Sequence, residues 1–78
     1  MGQMQPYANN QGHSGVIAYA IGKSYIDVEF VGGSIYRYDY DITGEDNVKQ
    51  MKILARQGSG LSTFISKTVH NNYAAQIK

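Results

Sequence analysis

Two different hydrophobic periods divide the chain, and this division most limits how it can fold. Over residues 16–40, large apolar side chains alternate with small or polar ones, which is the period of β-strands. Over residues 45–70, apolar residues recur three and four positions apart, which is the period of an amphipathic helix. Strands followed by helices in one short chain predict an α+β domain.

The alternating part predicts three strands, at residues 16–21, 25–30 and 35–40, joined by short glycine-containing turns. After a turn over residues 41–44, a first helix is predicted to begin near Glu45 and to end at Gly58. A second helix is predicted over residues 61–70, with Ser59 or Ser62 as its cap.

The predicted fold is therefore a three-stranded antiparallel β-meander followed by two α-helices packed on one sheet face. Residues 1–14 are polar and rich in Gln, Asn and Gly, and are predicted to form a flexible N-terminal tail. Residues 15–78 are predicted to form a single domain, since 78 residues leave room for only one core.

Composition excludes several classes of function. The chain has no cysteine, which excludes disulfides, cysteine zinc sites and thiol catalysis and is typical of a reducing compartment such as the cytoplasm. No apolar run approaches the ~18 residues of a membrane span, so no membrane partner is expected. We expect no cofactor and no small-molecule substrate.

Charge is distributed unevenly along the chain. Residues 1–48 carry all six acidic residues against two basic ones, whereas residues 49–78 carry five basic residues and no acid. A basic half can meet phosphate or an acidic protein face. Alternatively, the two halves complement each other within the fold.

Several short motifs follow one another in a fixed order: Val28-Glu29-Phe30, Gly32-Gly33-Ser34, Tyr36-Arg37-Tyr38, Ser59-Gly60, Phe64 and Tyr73. With these motifs, the stretch from Ser14 to about Tyr73 resembles the KTSC domain, found at the C-terminus of some lysyl-tRNA synthetases and as stand-alone small bacterial and phage proteins. The resemblance implies a small single domain and, through the synthetases, RNA binding. Two positions differ from the family pattern: Ile65 stands where Asn is frequent, and Asn72-Tyr73-Ala74 replaces Arg-Tyr-Pro.

Tyr36, Arg37 and Tyr38 on the third strand are the first candidate for a nucleic-acid site. Tyrosines two positions apart share one face of a strand, and such platforms stack bases. With a two-residue loop at Gly32-Gly33, Glu29 would face Tyr36, and the tyrosines would share the polar face.

With a three-residue loop at Gly32-Gly33-Ser34, Phe30 would instead face Tyr36, and the tyrosines would belong to the core. That second register is favoured because it gathers the large apolar rings, although it places Asp27 opposite Asp39.

Basic and loop residues of the helical part complete the candidate site. Lys49, Lys52 and Arg56 lie along one side of the first helix, and Lys67 lies on the second. Ser59 and Gly60 precede the second helix, where free amides attract anions. The alternatives are a solvated helix face and a tight interhelical turn.

We predict no catalytic residues and no metal site. Ser66 and His70 lie four positions apart, but no acid lies nearby in sequence to orient the histidine. The acids around residues 39–46 lack the spacing of a calcium loop, and Glu45 and Asp46 are explained by the helix dipole.

The sequence thus predicts a small non-enzymatic binding module, for RNA or single-stranded DNA. The alternative is a protein-interaction module, either a phage or mobile-element accessory protein or a homodimer. In that alternative, Val16–Ile21 would be an exposed edge strand that pairs with another chain.

Overall fold

The computed structural model describes residues 4–9 and 15–78, and these form the expected α+β architecture. Five strands precede or follow two helices, in the order β1 (Gln5–Pro6), β2 (Val16–Ile21), β3 (Tyr25–Phe30), β4 (Ile35–Asp39), α1 (Glu45–Gln57), α2 (Leu61–Phe64) and β5 (Ala75–Gln76). A π-helical turn, Tyr40–Gly44, leads into α1, and a second one, Ile65–Val69, continues α2. We call residues 61–69 the second helix.

The sheet has five antiparallel strands in sequence order, where the sequence predicted three. Gln5 pairs with Tyr19 and Pro6 with Ala18, so these two residues belong to the sheet rather than to a tail. At the other edge, Tyr36 pairs with Gln76. Residues 1–3 and 10–14 of the predicted tail lie outside the described residues.

Because β1 covers one side of β2, the prediction that Val16–Ile21 is an exposed edge strand is wrong. The backbone amide of Tyr7 continues this pairing by donating to the carbonyl of Ile17 at 3.0 Å. Each outermost strand is only two residues long, and β1 contains the single proline of the chain. Short strands and proline at an edge discourage pairing with further chains.

The register of β3 and β4 differs from both registers considered above. Val28 pairs with Tyr36 and Ile26 with Tyr38, and the loop is Val31-Gly32-Gly33, closed by a bond from the amide of Phe30 to the carbonyl of Ser34. The favoured register was therefore wrong by two residues. It was right about the faces, because a shift of two residues keeps every side chain on its side.

The observed register places Asp27 opposite Arg37 instead of opposite Asp39. Arg37 donates from Nε to Oδ1 of Asp27 at 2.8 Å and from Nη2 to Oδ2 at 3.0 Å. Its guanidinium also lies over the ring of Tyr25, 3.9 Å from the centroid. The hydrogen bond to Asp27 raises the pKa of Arg37, and this charge-assisted pair joins β3 to β4 on the outer sheet face.

The hydrophobic core lies between the inner sheet face and the two helices. Its residues with almost no exposed surface are Val16, Ile26, Val28, Val48, Met51 and Leu61. As predicted, α1 begins at Glu45 and ends at Gly58, which adopts a left-handed conformation with φ of 76°.

The cap predicted for the second helix is not formed by Ser59 or Ser62. The N-cap residue is Gly60, and the amide of Leu61 donates instead to the hydroxyl of Tyr7 at 3.2 Å. Tyr7 is only 6% exposed and belongs to the core cluster. The packed domain thus includes residues that the sequence assigned to the N-terminal tail.

Candidate binding cleft

An open cleft of about 470 Å³ lies between the inner sheet face and the C-terminal end of the second helix. It falls within the roughly 300–1,000 Å³ of typical ligand sites. The sheet supplies one wall, the helix the other, and the chain after the helix the end. Its lining residues are Phe30, Tyr36, Tyr38, Ile65, Ser66, His70, Asn71 and Tyr73.

The aromatic wall follows from the register of β3 and β4. Phe30, Tyr36 and Tyr38 all point to the inner face, and Tyr73 packs onto Tyr36 with 4.5 Å between ring centroids. The ring planes are inclined to one another, by 65° for Phe30 and Tyr36 and by 86° for Tyr38 and Tyr73. The rings therefore pack against one another and form one uneven aromatic wall.

Hydrogen bonds to the first π-helical turn hold the end wall in place. The hydroxyl of Thr43 donates to the carbonyl of Asn72 at 2.6 Å, and the side-chain amide of Asn72 donates to the carbonyl of Ile42 at 2.9 Å. The amide of Ala74 then donates to the carbonyl of Arg37 at 2.7 Å, which starts the pairing of β5. The chain directly after His70 and Asn71 is thus fixed to the first π-helical turn and to β4.

Three polar side chains, those of Ser66, His70 and Asn71, line the rim of the cleft. Among the described residues, no side-chain hydrogen bond engages Ser66, His70 or Asn71. Tyr38 is only 2% exposed and lines the cleft from the inner sheet face. Burial raises the pKa of Tyr38 to about 12, so its hydroxyl stays protonated at neutral pH.

His70 adopts an unusual backbone conformation, with φ of 48° and ψ of −123°. A residue other than glycine in this region of φ and ψ raises the free energy of the folded state by about 1–3 kcal/mol. We therefore expect His70→Gly to raise the free energy of unfolding by up to about 1 kcal/mol, because part of the gain is offset by the greater freedom of glycine when unfolded. Urea denaturation would measure this, with His70→Ala as the control. A loss of stability in His70→Gly would contradict the strained conformation.

The structure separates the three strand residues of the predicted nucleic-acid site. Tyr36 and Tyr38 line the cleft on the inner face, whereas Arg37 lies on the outer face, bound to Asp27. The structure therefore does not bring these three residues to one face of the sheet. Alternation along a strand makes this unavoidable for any three consecutive residues.

The basic stripe predicted on α1 does not form a common surface either. Lys52 is only 9% exposed, and its Nζ donates to the carbonyls of Gly22 at 3.0 Å and Lys23 at 3.3 Å and to the hydroxyl of Tyr40 at 3.2 Å. The Nζ of Lys49 lies 2.7 Å from Oε2 of Glu45, which raises the pKa of that lysine.

Arg56 and Lys67 are exposed, and Lys67 follows the cleft residue Ser66 directly. Ser59 and Gly60 are half-buried beside the start of the second helix, away from the residues that line the cleft. Because the amide of Leu61 already donates to Tyr7, one of the donors expected to attract an anion at this loop is occupied.

Sequence reasoning did not assemble the cleft from Phe30, Ile65, Ser66, His70, Asn71 and Tyr73. The sequence places Ser66 and His70 four positions apart on one predicted helix, and this spacing was the only signal that it offered for the cleft. Only the register and the turn at His70 bring these residues together.

No family model, curated protein or solved structure matches this chain. Within the part of the chain that the structure describes, no helix has the length and apolar character needed to cross a membrane.

Proposed function

We propose that the protein is a non-enzymatic interaction module that binds a short segment of another protein in the cleft. The observation that carries this proposal is the chemistry of the lining: aromatic rings and hydrogen-bonding side chains, with no Asp, Glu, Lys or Arg among the described lining residues. Tyrosine is enriched at protein interfaces because it combines a large apolar ring with a polar tip.

Binding rather than catalysis is supported by the surroundings of Ser66 and His70. A serine nucleophile needs a base, and that base needs a group to orient it. The described lining contains no carboxylate that would do so. These two side chains are better suited to donating and accepting hydrogen bonds at the rim.

Single-stranded nucleic acid is the second candidate. It is favoured by the rings of Tyr36 and Tyr38 in the cleft and by Lys67 on the helix beside it. The proposed membership of the KTSC family would also favour RNA. Against it, two of the cations expected to bind phosphate are engaged elsewhere, Arg37 by Asp27 and Lys52 by backbone carbonyls. Contacts between basic side chains and phosphates dominate nucleic-acid affinity. Because Arg37 and Lys52 are engaged within the protein, this candidate is weaker.

Selection from a displayed library of random peptides tests the proposal. We expect peptides that bind the native protein but not Ser66→Trp, in which an indole fills the cleft from its helical wall. Thr68→Trp is the matched control, because Thr68 is exposed on the same π-helical turn and does not line the cleft.

Labelled single-stranded RNA and DNA oligonucleotides would be titrated in parallel at low and moderate salt. Salt-sensitive oligonucleotide binding, together with no peptide that distinguishes Ser66→Trp from Thr68→Trp, would replace the protein partner with a nucleic acid.

A further inference from the structure

The angles between the aromatic rings limit the shape of ligand that the cleft can accept. The aromatic pairs of the wall contact one another and are inclined by 45°, 65° and 86°, so the wall is uneven and offers no slot between parallel rings for a flat base. An uneven aromatic wall suits a ridged surface of puckered aliphatic rings, and aromatic-lined grooves are the sites that bind proline-rich segments. Proline side chains present such a surface when the chain is extended.

The polar groups of the rim favour a ligand whose backbone carbonyls are free to accept hydrogen bonds. Ser66, His70 and Asn71 all offer hydrogen-bond donors. These donors need acceptors on the ligand. The backbone carbonyls of a helix or of a sheet strand already accept hydrogen bonds within that element. A polyproline II helix has no internal hydrogen bonds, so its carbonyls remain available to such a rim.

Resting on the function proposed above, we propose that the cleft binds an uncharged, proline-rich segment of a partner protein in the polyproline II conformation. The described lining contains no Asp, Glu, Lys or Arg, which matches an uncharged ligand, since a charged one would lose hydration without gaining an opposite charge. The occupant is not a segment of this chain, because its one proline, Pro6, is held in β1. Polyproline II segments are also preformed, which lowers the entropic cost of binding.

The test uses a fluorescein-labelled oligoproline peptide and the full chain. Fluorescence anisotropy would compare it with a Gly/Ser peptide of equal length, which is flexible and lacks proline rings, and with an Ala-rich helical peptide. We expect saturable binding of oligoproline alone, changing by less than about twofold between low and moderate salt because no ion pair contributes.

Two pairs of variants locate the binding. Ser66→Trp is expected to weaken oligoproline binding at least about tenfold, as when the centre of an interface is blocked, whereas Thr68→Trp leaves it unchanged. Asn71→Ala is expected to weaken it about fivefold through the loss of one hydrogen bond. Gln50→Ala is its control, since Gln50 is an exposed amide on α1 that does not line the cleft.

The outcomes separate the two proposals. If library peptides without proline bind the cleft but oligoproline does not, the polyproline II assignment is overturned and the protein-binding function stands. If neither binds and oligonucleotides do, both are overturned. Oligoproline binding that is equal in Ser66→Trp and Thr68→Trp would also overturn the assignment, because binding would then lie outside the cleft.

Discussion

Tyr7→Ala is expected to lower the free energy of unfolding by about 3–5 kcal/mol, the range for removing a large buried aromatic side chain. Tyr7 is 6% exposed and contacts the core, and its hydroxyl accepts the bond from the amide of Leu61 at 3.2 Å. A domain of 78 residues has a total stability of roughly 4–12 kcal/mol, so this loss would leave much of the protein unfolded near body temperature. Thermal denaturation followed by circular dichroism would measure it.

Tyr7→Phe separates the two contributions of this residue. It keeps the ring in the core and removes only the hydroxyl, so we expect a loss of about 1 kcal/mol. If Tyr7→Ala were as stable as the native protein, the N-terminal segment would not be part of the packed domain and the predicted tail over residues 1–14 would stand.

Lys52→Ala is expected to lower the free energy of unfolding by about 2–4 kcal/mol. The substitution removes the donor from two backbone carbonyls, those of Gly22 and Lys23, and from the hydroxyl of Tyr40. It also leaves a cavity where the methylene stem of the lysine packs. Chemical denaturation would measure the change, and Lys52→Met, which keeps the stem without the ammonium, would recover part of it.

Lys49→Ala is the matched control for Lys52→Ala on the same helix. Lys49 is fully exposed and paired only with Glu45, and exposed ion pairs contribute little to stability. We therefore expect no measurable change. Equal effects of the two substitutions would contradict the burial of Lys52. A variant that replaces Lys49, Lys52 and Arg56 together would report mainly on folding, and it is unsuitable as a test of nucleic-acid binding.

The strands from residue 16 and the first helix were predictable because their periods are clear. Burial of Ile26 and Val28 determines which face of β3 is inner. The same argument predicted that Tyr38 lies on the inner face, and the structure confirms this. Burial does not determine the register, since a shift of two residues preserves both faces. The pairing of Asp27 with Arg37, an attraction in place of a repulsion, was the signal that favoured the observed register.

The remaining features depend on contacts distant in sequence. β1 and β5 are two residues long, too short to show any period. Lys52 was assigned to a surface stripe by its charge, because nothing in the local pattern indicates that Gly22 and Lys23 would present carbonyls to it. The cleft is formed by both the sheet register and the turn at His70. Neither can be predicted from the spacing of residues in the sequence.

The hydrogen bond between Tyr7 and Leu61 has a consequence for the order in which the chain folds during synthesis. Its partners are 54 residues apart, whereas the hairpins between β2 and β4 join neighbours in sequence. Local pairings form before distant ones, because closing a long loop costs more entropy. On the ribosome, the meander can therefore form early, whereas the hydrogen bond between Tyr7 and Leu61 can form only after the second helix has emerged. The helical wall of the cleft would be among the last parts of the protein to mature.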